Sequence, residues 1–516
     1  DVAQRRLSDA QPTVLLRGSH FLPSHPWPQI VAGLGLSCST DELLGALDAC
    51  AEATDCRALI LIDALNEGSG RDMWQDHIAG MLTTLRRYPR VALAVSVRTS
   101  YEDLVIPQQL AESADLTRAE HDGFAGHEYE ATQTFFRHFN VPAPSFPHLA
   151  PEFSNPLFLV LLCRALGGLS PEGMPSGEQG MSAVFGRFLD RVNERLSRSQ
   201  ALDFDGEEQY VHRAVLRFSM RLADTNVRAV PRHEARELVN QELQRTEHSR
   251  TLFKGMLDEG VLIEDRRRLT DGEPVDVVLL SYERFSDYMI ARHLIDQHMD
   301  PASLDTVFRP GGSLHDGYVR DGKCWDHAGV MEALSVLIPE TFGRELLDIV
   351  PERARAAVLA PFIWSIVWRS PSAFTESTRR VMNTEIAGEG ADPDWFIFDQ
   401  FVESLLTVAA TPGHPYNADK LHLWLGGYSL ASRDAWWSTY LHRQYGEKGA
   451  VERLLRWAWS TEGHPSISDK AARLACTALA WMLTTSNRSV RDRATKGLVC
   501  LLQGRVPVLQ DLLGRF

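Results

Sequence analysis

Basic charge is scarce in this chain: 53 Lys and Arg stand against 68 Asp and Glu, a formal net charge of -15. That balance disfavours a surface that wraps nucleic acid, which needs an extended positive field. Cysteine is thin as well. The seven residues Cys38, Cys50, Cys56, Cys163, Cys324, Cys476 and Cys500 are scattered and odd in number. They lack the short paired spacings of a metal site and the density of a disulfide scaffold, which fits a reducing cytoplasm. Long apolar runs are missing too. The longest, residues 356–368, is broken by Pro361 and Ser365, well short of the roughly 20 residues that span a bilayer. No secretory leader is expected from the opening residues, and no Ser-His-Asp order, reactive-cysteine pattern or metal-ligand set is legible. The most consequential absence is a phosphate loop: G-x-x-x-x-G-K-[ST] occurs nowhere in the 516 residues.

What is present is ordinary globular material, 44% hydrophobic and 23% charged. At about 100–200 residues per domain, the length predicts about three or four domains with ample core. Residues 13–17 (TVLLR), 58–62 (ALILI) and 91–97 (VALAVSV) are short Val/Leu/Ile runs separated by helical patterns. Continuous apolar runs of this kind mark strands of a buried parallel sheet. Ser39 with Glu42 three residues on forms a capping box before Leu43, Leu44 and Leu47, which starts the first strong helix. The predicted core is doubly wound α/β.

In such a sheet ligands gather at the carboxyl ends of the strands. Asp63 falls at that edge and Glu67 within the same turn. A nucleoside triphosphatase needs one carboxylate to hold magnesium through water and another to polarise the attacking water. Asp63 suits the first role and Glu67 the second. The same residues also describe a plain solvated strand-to-helix turn. Arg98 follows the next strand, 35 positions beyond Asp63, and adjacent parallel strands would bring it to the same edge. There it could answer charge on a γ-phosphate, or be a surface arginine at a strand end.

The residues DALNEG (63–68) after one strand and SVR (96–98) after the next resemble the Walker B and sensor 1 elements of NACHT-type STAND NTPases, signal-transducing relatives of the AAA+ ATPases. Usual members carry two adjacent acids after the strand; this chain has Asn66-Glu67. Residues 154–159 (SNPLFL) resemble the NPL segment of the helical lid, whose proline packs near adenine, which implies nucleotide contacts for Asn155 and Pro156. A proline opening a buried helix reads the same way. Residues 252–265 give an amphipathic helix, a stop at Gly260 and a strand. Residues 266–274 are polar, and a second strand follows at 275–280. Helices followed by a hairpin describe a winged helix, which the family places after its lid. The run Arg266-Arg267-Arg268 could touch nucleic acid, although charged hairpin tips are more often simply solvated.

Residues 281–294 (SYERFSDYMIARHL) resemble the helix that closes many NACHT modules, with Tyr282 where those proteins often carry a phosphate-sensing histidine. YERF variants resemble bacterial antiphage proteins of the AVAST type. Phe285, Tyr288 and Met289 also recur at helical spacing, as a core-facing stripe would. From residue 301 onward only amphipathic helices are predicted, rich in tryptophan, as in HEAT- or TPR-like repeats. Val490, Ala494, Leu498 and Leu501 fall on one helical face. Residues 483–498 resemble an element of AVAST-type sensors, with Asn487 and Arg488 placed to cap or bridge helices.

The resemblance implies a multidomain α/β plus α protein. Its parts are a truncated P-loop NTPase core lacking Walker A (1–118), a helical lid (119–205), a winged helix (206–300) and a helical-repeat sensor (301–516). It implies ATP or ADP with Mg2+, catalytic roles for Asp63, Glu67 and Arg98, and nucleotide contacts for Asn155, Pro156 and Tyr282. The expected activity is a cytoplasmic antiphage switch that oligomerises with ATP when its repeats bind a protein ligand such as a phage protein. The opening residues are expected to run from just past the phosphate loop into TVLLR, which leaves this chain with weak nucleotide affinity. A STAND transcription regulator and a non-catalytic helical scaffold are the competing readings.

Overall fold

The structure, a computed structural model, describes residues 2–68, 70–111, 116–167, 181–225, 228–244, 250–267, 275–387, 394–460 and 466–516. The chain is mixed α/β with helix predominant. It divides into two compact units, residues 1–121 with 265–276, and residues 122–264 with 277–516.

The first unit is organised by a parallel sheet in the order β1 (Thr13–Arg17), β2 (Ala58–Asp63), β3 (Val91–Val95). The register pairs Arg17 with Asp63 and Ile62 with Val95, so the carboxyl ends of all three strands meet at one edge. β2 shows why the sheet forms: Ala58, Ile60 and Ile62 are fully buried, while Leu59 and Leu61 on the opposite face are half-buried. The buried face joins Leu43 and Leu44 of the helix Thr40–Ala53 and Ile78 and Met81 of the helix Trp74–Leu85 in one apolar core. Thr40–Ala53 starts where the sequence places it. The Ser39 hydroxyl accepts from Glu42 N–H at 3.2 Å, and the Glu42 carboxylate accepts from Ser39 N–H at 2.7 Å. β3 ends at Val95, two residues earlier than its apolar run, because Ser96 turns to bond the end of β2.

The second unit holds one continuous hydrophobic core from Ala131 to Leu512. Its few strands are β4 (Val230–Pro231) and parts of β5 (Leu262–Arg267) and β6 (Val275–Leu280), in the order β4-β6-β5. Gly260, in the left-handed region at φ 70°, separates the helix Leu252–Asp258 from β5. Of the arginine run that follows, Arg266 bonds Asp72 within the first unit at 2.5 Å, Arg267 closes β5, and Arg268 lies outside the described residues. From residue 301 onward every regular element among the described residues is helical. On the helix Arg488–Leu502, Val490, Ala494 and Leu501 are buried and Leu498 is half-buried, while Asn487 caps the start by accepting from Ser489 N–H at 3.0 Å. Trp437, Trp457 and Trp481 are core residues, whereas Trp325, Trp395 and Trp459 are exposed.

Two polar arrangements stand inside this core. Arg369 and Glu345 form a fully buried bidentate pair, both N–O distances 2.7 Å, with the Ser365 and Thr378 hydroxyls completing it. Arg453 donates to the Leu149 carbonyl at 2.7 Å, the Lys448 carbonyl at 2.8 Å and the Glu403 carboxylate at 2.8 Å. Nearby in the same unit, Ser468 N–H donates to the Ser145 carbonyl at 2.8 Å.

His414 is buried, with both ring nitrogens engaged: Nε2 donates to the Ile366 carbonyl at 2.9 Å and Nδ1 accepts from Tyr416 N–H at 3.1 Å. Burial pulls its pKa down to about 4 from 6.5. The unfolded chain therefore takes up a proton that the folded ring refuses, and the stability His414 contributes is full above pH 6.5 and lost as pH falls toward 4. Comparison of the native protein with His414→Gln isolates this group from the other titrating side chains. The variant's stability, from denaturant titrations at each pH, should fall less steeply over that window, by about 1.4 kcal/mol per pH unit. Parallel pH profiles for the two proteins would refute the assignment.

Candidate functional site at the carboxyl edge of the parallel sheet

Asp63 closes β2 as an exposed carboxylate. Its orientation is set by Ser96, the first residue of the SVR run after β3. Ser96 Oγ donates to Asp63 Oδ1 at 2.6 Å and accepts from Ala64 N–H at 2.7 Å. Ala64 takes the left-handed conformation at φ 57°, which turns the chain sharply after the strand. The turn is then stitched to β3's exit by Leu65 N–H to the Ser96 carbonyl at 2.9 Å. Asn66, at the position where the resemblance calls for an acid, is buried, and its side-chain oxygen accepts from Arg98 N–H at 3.1 Å. An acid here could accept that bond as well, but it would bury a charge; the amide holds the turn without one. Glu67, next in sequence, is exposed, as is Arg98. The structure thus joins the turns that carry Asp63, Glu67 and Arg98 through two side chains, Ser96 and Asn66.

The loop after β1 presses on the same turn. A Cβ built on Gly18 would lie 2.0 Å from the Ala64 carbonyl oxygen, and one on Gly68, itself at φ 80°, would lie 2.7 Å from Ser19 Cα. Only glycine lets these two loops touch. Gly18→Ala should therefore displace the acidic turn and cost about 1–3 kcal/mol, the usual range for overpacking. A thermal melt checks this, and an unchanged midpoint would show that the loops separate freely.

Asn155, Pro156 and Tyr282 lie in the second unit. Asn155 caps the helix Pro156–Leu166, its side chain accepting from Leu157 N–H at 2.9 Å and Phe158 N–H at 3.3 Å, and Pro156 occupies the first turn. Tyr282 precedes the helix Glu283–His298 and is buried, its ring 5.7 Å from that of Phe158. Asn155, Pro156 and Tyr282 therefore share one neighbourhood through Phe158. Burial drives the Tyr282 hydroxyl's pKa upward, so it stays protonated. Beneath it Glu152 is buried with its pKa also raised by burial, an effect that Arg284, 3.3 Å away, partly offsets. Arg284 reaches on to Glu332 at 2.9 Å and lies over the Trp364 ring, 3.9 Å from its centre. Glu152 and Arg284 escaped the sequence reading because nothing in their spacing marks two charges that meet across 132 positions.

The chain matches no known protein family and no characterised protein.

Proposed function

We propose that this chain is the switch and sensor portion of a STAND-type ATPase of the NACHT-like kind, acting in antiviral defence. The observation that carries the reading is Asp63: an exposed carboxylate at the carboxyl end of the central strand, oriented by Ser96, with Glu67 in its turn and Arg98 tied to that turn by Asn66. Parallel α/β sheets bind ligands at that edge.

The donor chemistry fits magnesium. Asp63 offers a single exposed carboxylate at the strand end, and Mg2+ is commonly held by one or two carboxylates with waters and substrate phosphates. Asp63 would hold the ion through water, and bound Mg2+ supplies neutralisation of phosphate charge. Glu67 takes the proton of the attacking water, and Arg98 answers the charge that develops on the transferred phosphoryl group. No G-x-x-x-x-G-K-[ST] loop occurs among the 516 residues to cradle the phosphates. In the second unit, Asn155, Pro156 and Tyr282 are the nucleotide contacts that the resemblance implies. The helical stretch 301–516 receives a protein ligand such as a phage protein, with exposed Trp325, Trp395 and Trp459 as anchors. ATP-bound chains then assemble with one another. A swing from 1:99 to 99:1 needs a trigger that prefers the active form by about 5.5 kcal/mol, which suits a broad sensor surface.

The test is nucleotide content. Denaturing the whole protein, purified from its native source, should release close to one ATP or ADP per chain, and Arg98→Ala should weaken ATP binding more than ADP binding. A protein free of nucleotide that binds no Mg-ATP would sink the reading and leave the helical scaffold in its place. Among the described residues no helix is long and apolar enough to cross a membrane.

A further inference from the structure

In the second unit the helix Glu283–His298 packs along the helix Ala328–Phe342, and a carboxylate is enclosed between them. Asp287 is only 4% exposed. Its fit against the second helix leaves no room, since a Cβ built on Gly329 would lie 1.9 Å from Asp287 Oδ2. The cation that answers it is Arg228, 3.5 Å from Oδ1 and bonded to Glu283 as well. An enclosed charge is tolerated when it is closely paired and hydrogen-bonded. A distant guanidinium shared with a second carboxylate supplies neither, and such a group resolves the conflict by holding a proton.

The rest of the seam deepens the imbalance. Three residues earlier on the same helix, Arg284 is divided between Glu152 and Glu332, the latter on Ala328–Phe342. Glu152, Glu283, Asp287 and Glu332 thus outnumber Arg228 and Arg284. His327, at the head of the second helix, adds no charge at neutral pH, because burial lowers its pKa from 6.5. The helix Tyr210–Thr225 brings Asp224 up to His293, farther along the first. Burial pushes the Asp287 pKa from 3.8 up to about 6, a rise that Arg228 opposes and Glu283 and Glu332 reinforce. In water the same group would ionise near 3.8. Rising pH therefore favours separation of the two helices between 3.8 and 6, and above 6 both forms are ionised and the effect is complete.

We propose that this seam is a proton-operated joint between the helix that follows Tyr282 and the first long helix after residue 301, shut while Asp287 is protonated and loosened as it ionises. The joint works whatever the acidic turn of the first unit binds. Amide hydrogen exchange on the full chain tests it at pH 5 and pH 7.5, with each rate divided by that of an unstructured peptide at the same pH. Protection of the Tyr288, Ala291 and Ile295 amides, on residues buried along the helix, should be about tenfold lower at pH 7.5. Asp287→Asn, equal in shape and never charged, should keep the pH 5 protection at both. Arg228→Gln removes the opposing cation from an exposed position; across a full pH series it should carry the loss of protection on to pH values above 6 and make it larger. Protection that ignores pH in the native chain, or that falls equally in Asp287→Asn, would overturn the proposal. So would an unmoved profile in Arg228→Gln. Weak protection of Asp287→Asn at both pH values would overturn it too, by making the ionised carboxylate a support of the seam.

Discussion

Glu67→Gln should lower ATP turnover by about 10²–10⁴, the usual worth of a positioned proton acceptor, without touching stability. Glutamine keeps the shape of the side chain but cannot take a proton from water, and Glu67 is exposed, so the fold has no stake in its charge. Asp63→Ala should stop turnover as well, and for a different reason: it removes the carboxylate that would hold Mg2+ and leaves the Ser96 hydroxyl without its acceptor. The two variants are separable, since excess Mg2+ should not rescue Glu67→Gln. Both should leave ligand binding by residues 301–516 intact. Phosphate release by the whole protein, measured beside calorimetric melting, reads all of this. Hydrolysis unchanged in both variants would remove the catalytic assignment.

Arg369→Leu should destabilise the second unit by about 3–5 kcal/mol, the cost of leaving a buried charge without its partner. Glu345 would then keep only the Thr378 hydroxyl, in a pocket where neither charged side chain meets solvent. Arg369 also stands 5.2 Å from the centre of the Phe362 ring, an attraction lost with it. The double variant Arg369→Leu with Glu345→Leu should recover much of the loss, because apolar residues of similar volume replace buried pairs at little net cost. Denaturant titration of the three proteins decides. A single-variant loss under about 1 kcal/mol, the worth of an exposed pair, would mean that water reaches the site.

How legible these features were depended on the range of the physics. The three strands and the capped helix Thr40–Ala53 were readable because apolar runs and a serine–glutamate cap act within a few residues. Asp63, Glu67 and Arg98 could be singled out because strand ends are local and a parallel sheet aligns them. Ser96 was within reach, a hydroxyl two residues before Arg98 at the exit of an apolar strand, but only the β2–β3 register reveals that it meets Asp63. Asn66 looked like a missing acid and proves to be a buried brace for Arg98. In the second unit the tryptophans told that there was a core without telling which of them it would take. Trp437 and Trp395 look alike in sequence, yet one is enclosed and the other open. The Arg369–Glu345 pair and the Arg284 network were illegible for the same reason: packing, not spacing, decides which charges are enclosed.

Arg453 has a consequence in time. Its bond to the Leu149 carbonyl spans 304 positions, and the backbone bond from Ser468 to Ser145 spans a similar stretch. At a synthesis rate of about 5–20 residues per second, the segment around Leu149 emerges about 15–60 seconds before its partners exist. Through that interval the apolar helix Pro156–Leu166, with Phe158, Leu159, Leu161 and Leu162 destined for the core, has only part of its packing available. Newborn chains of this protein should therefore depend on chaperones that shield the first half of the second unit until its last third is made.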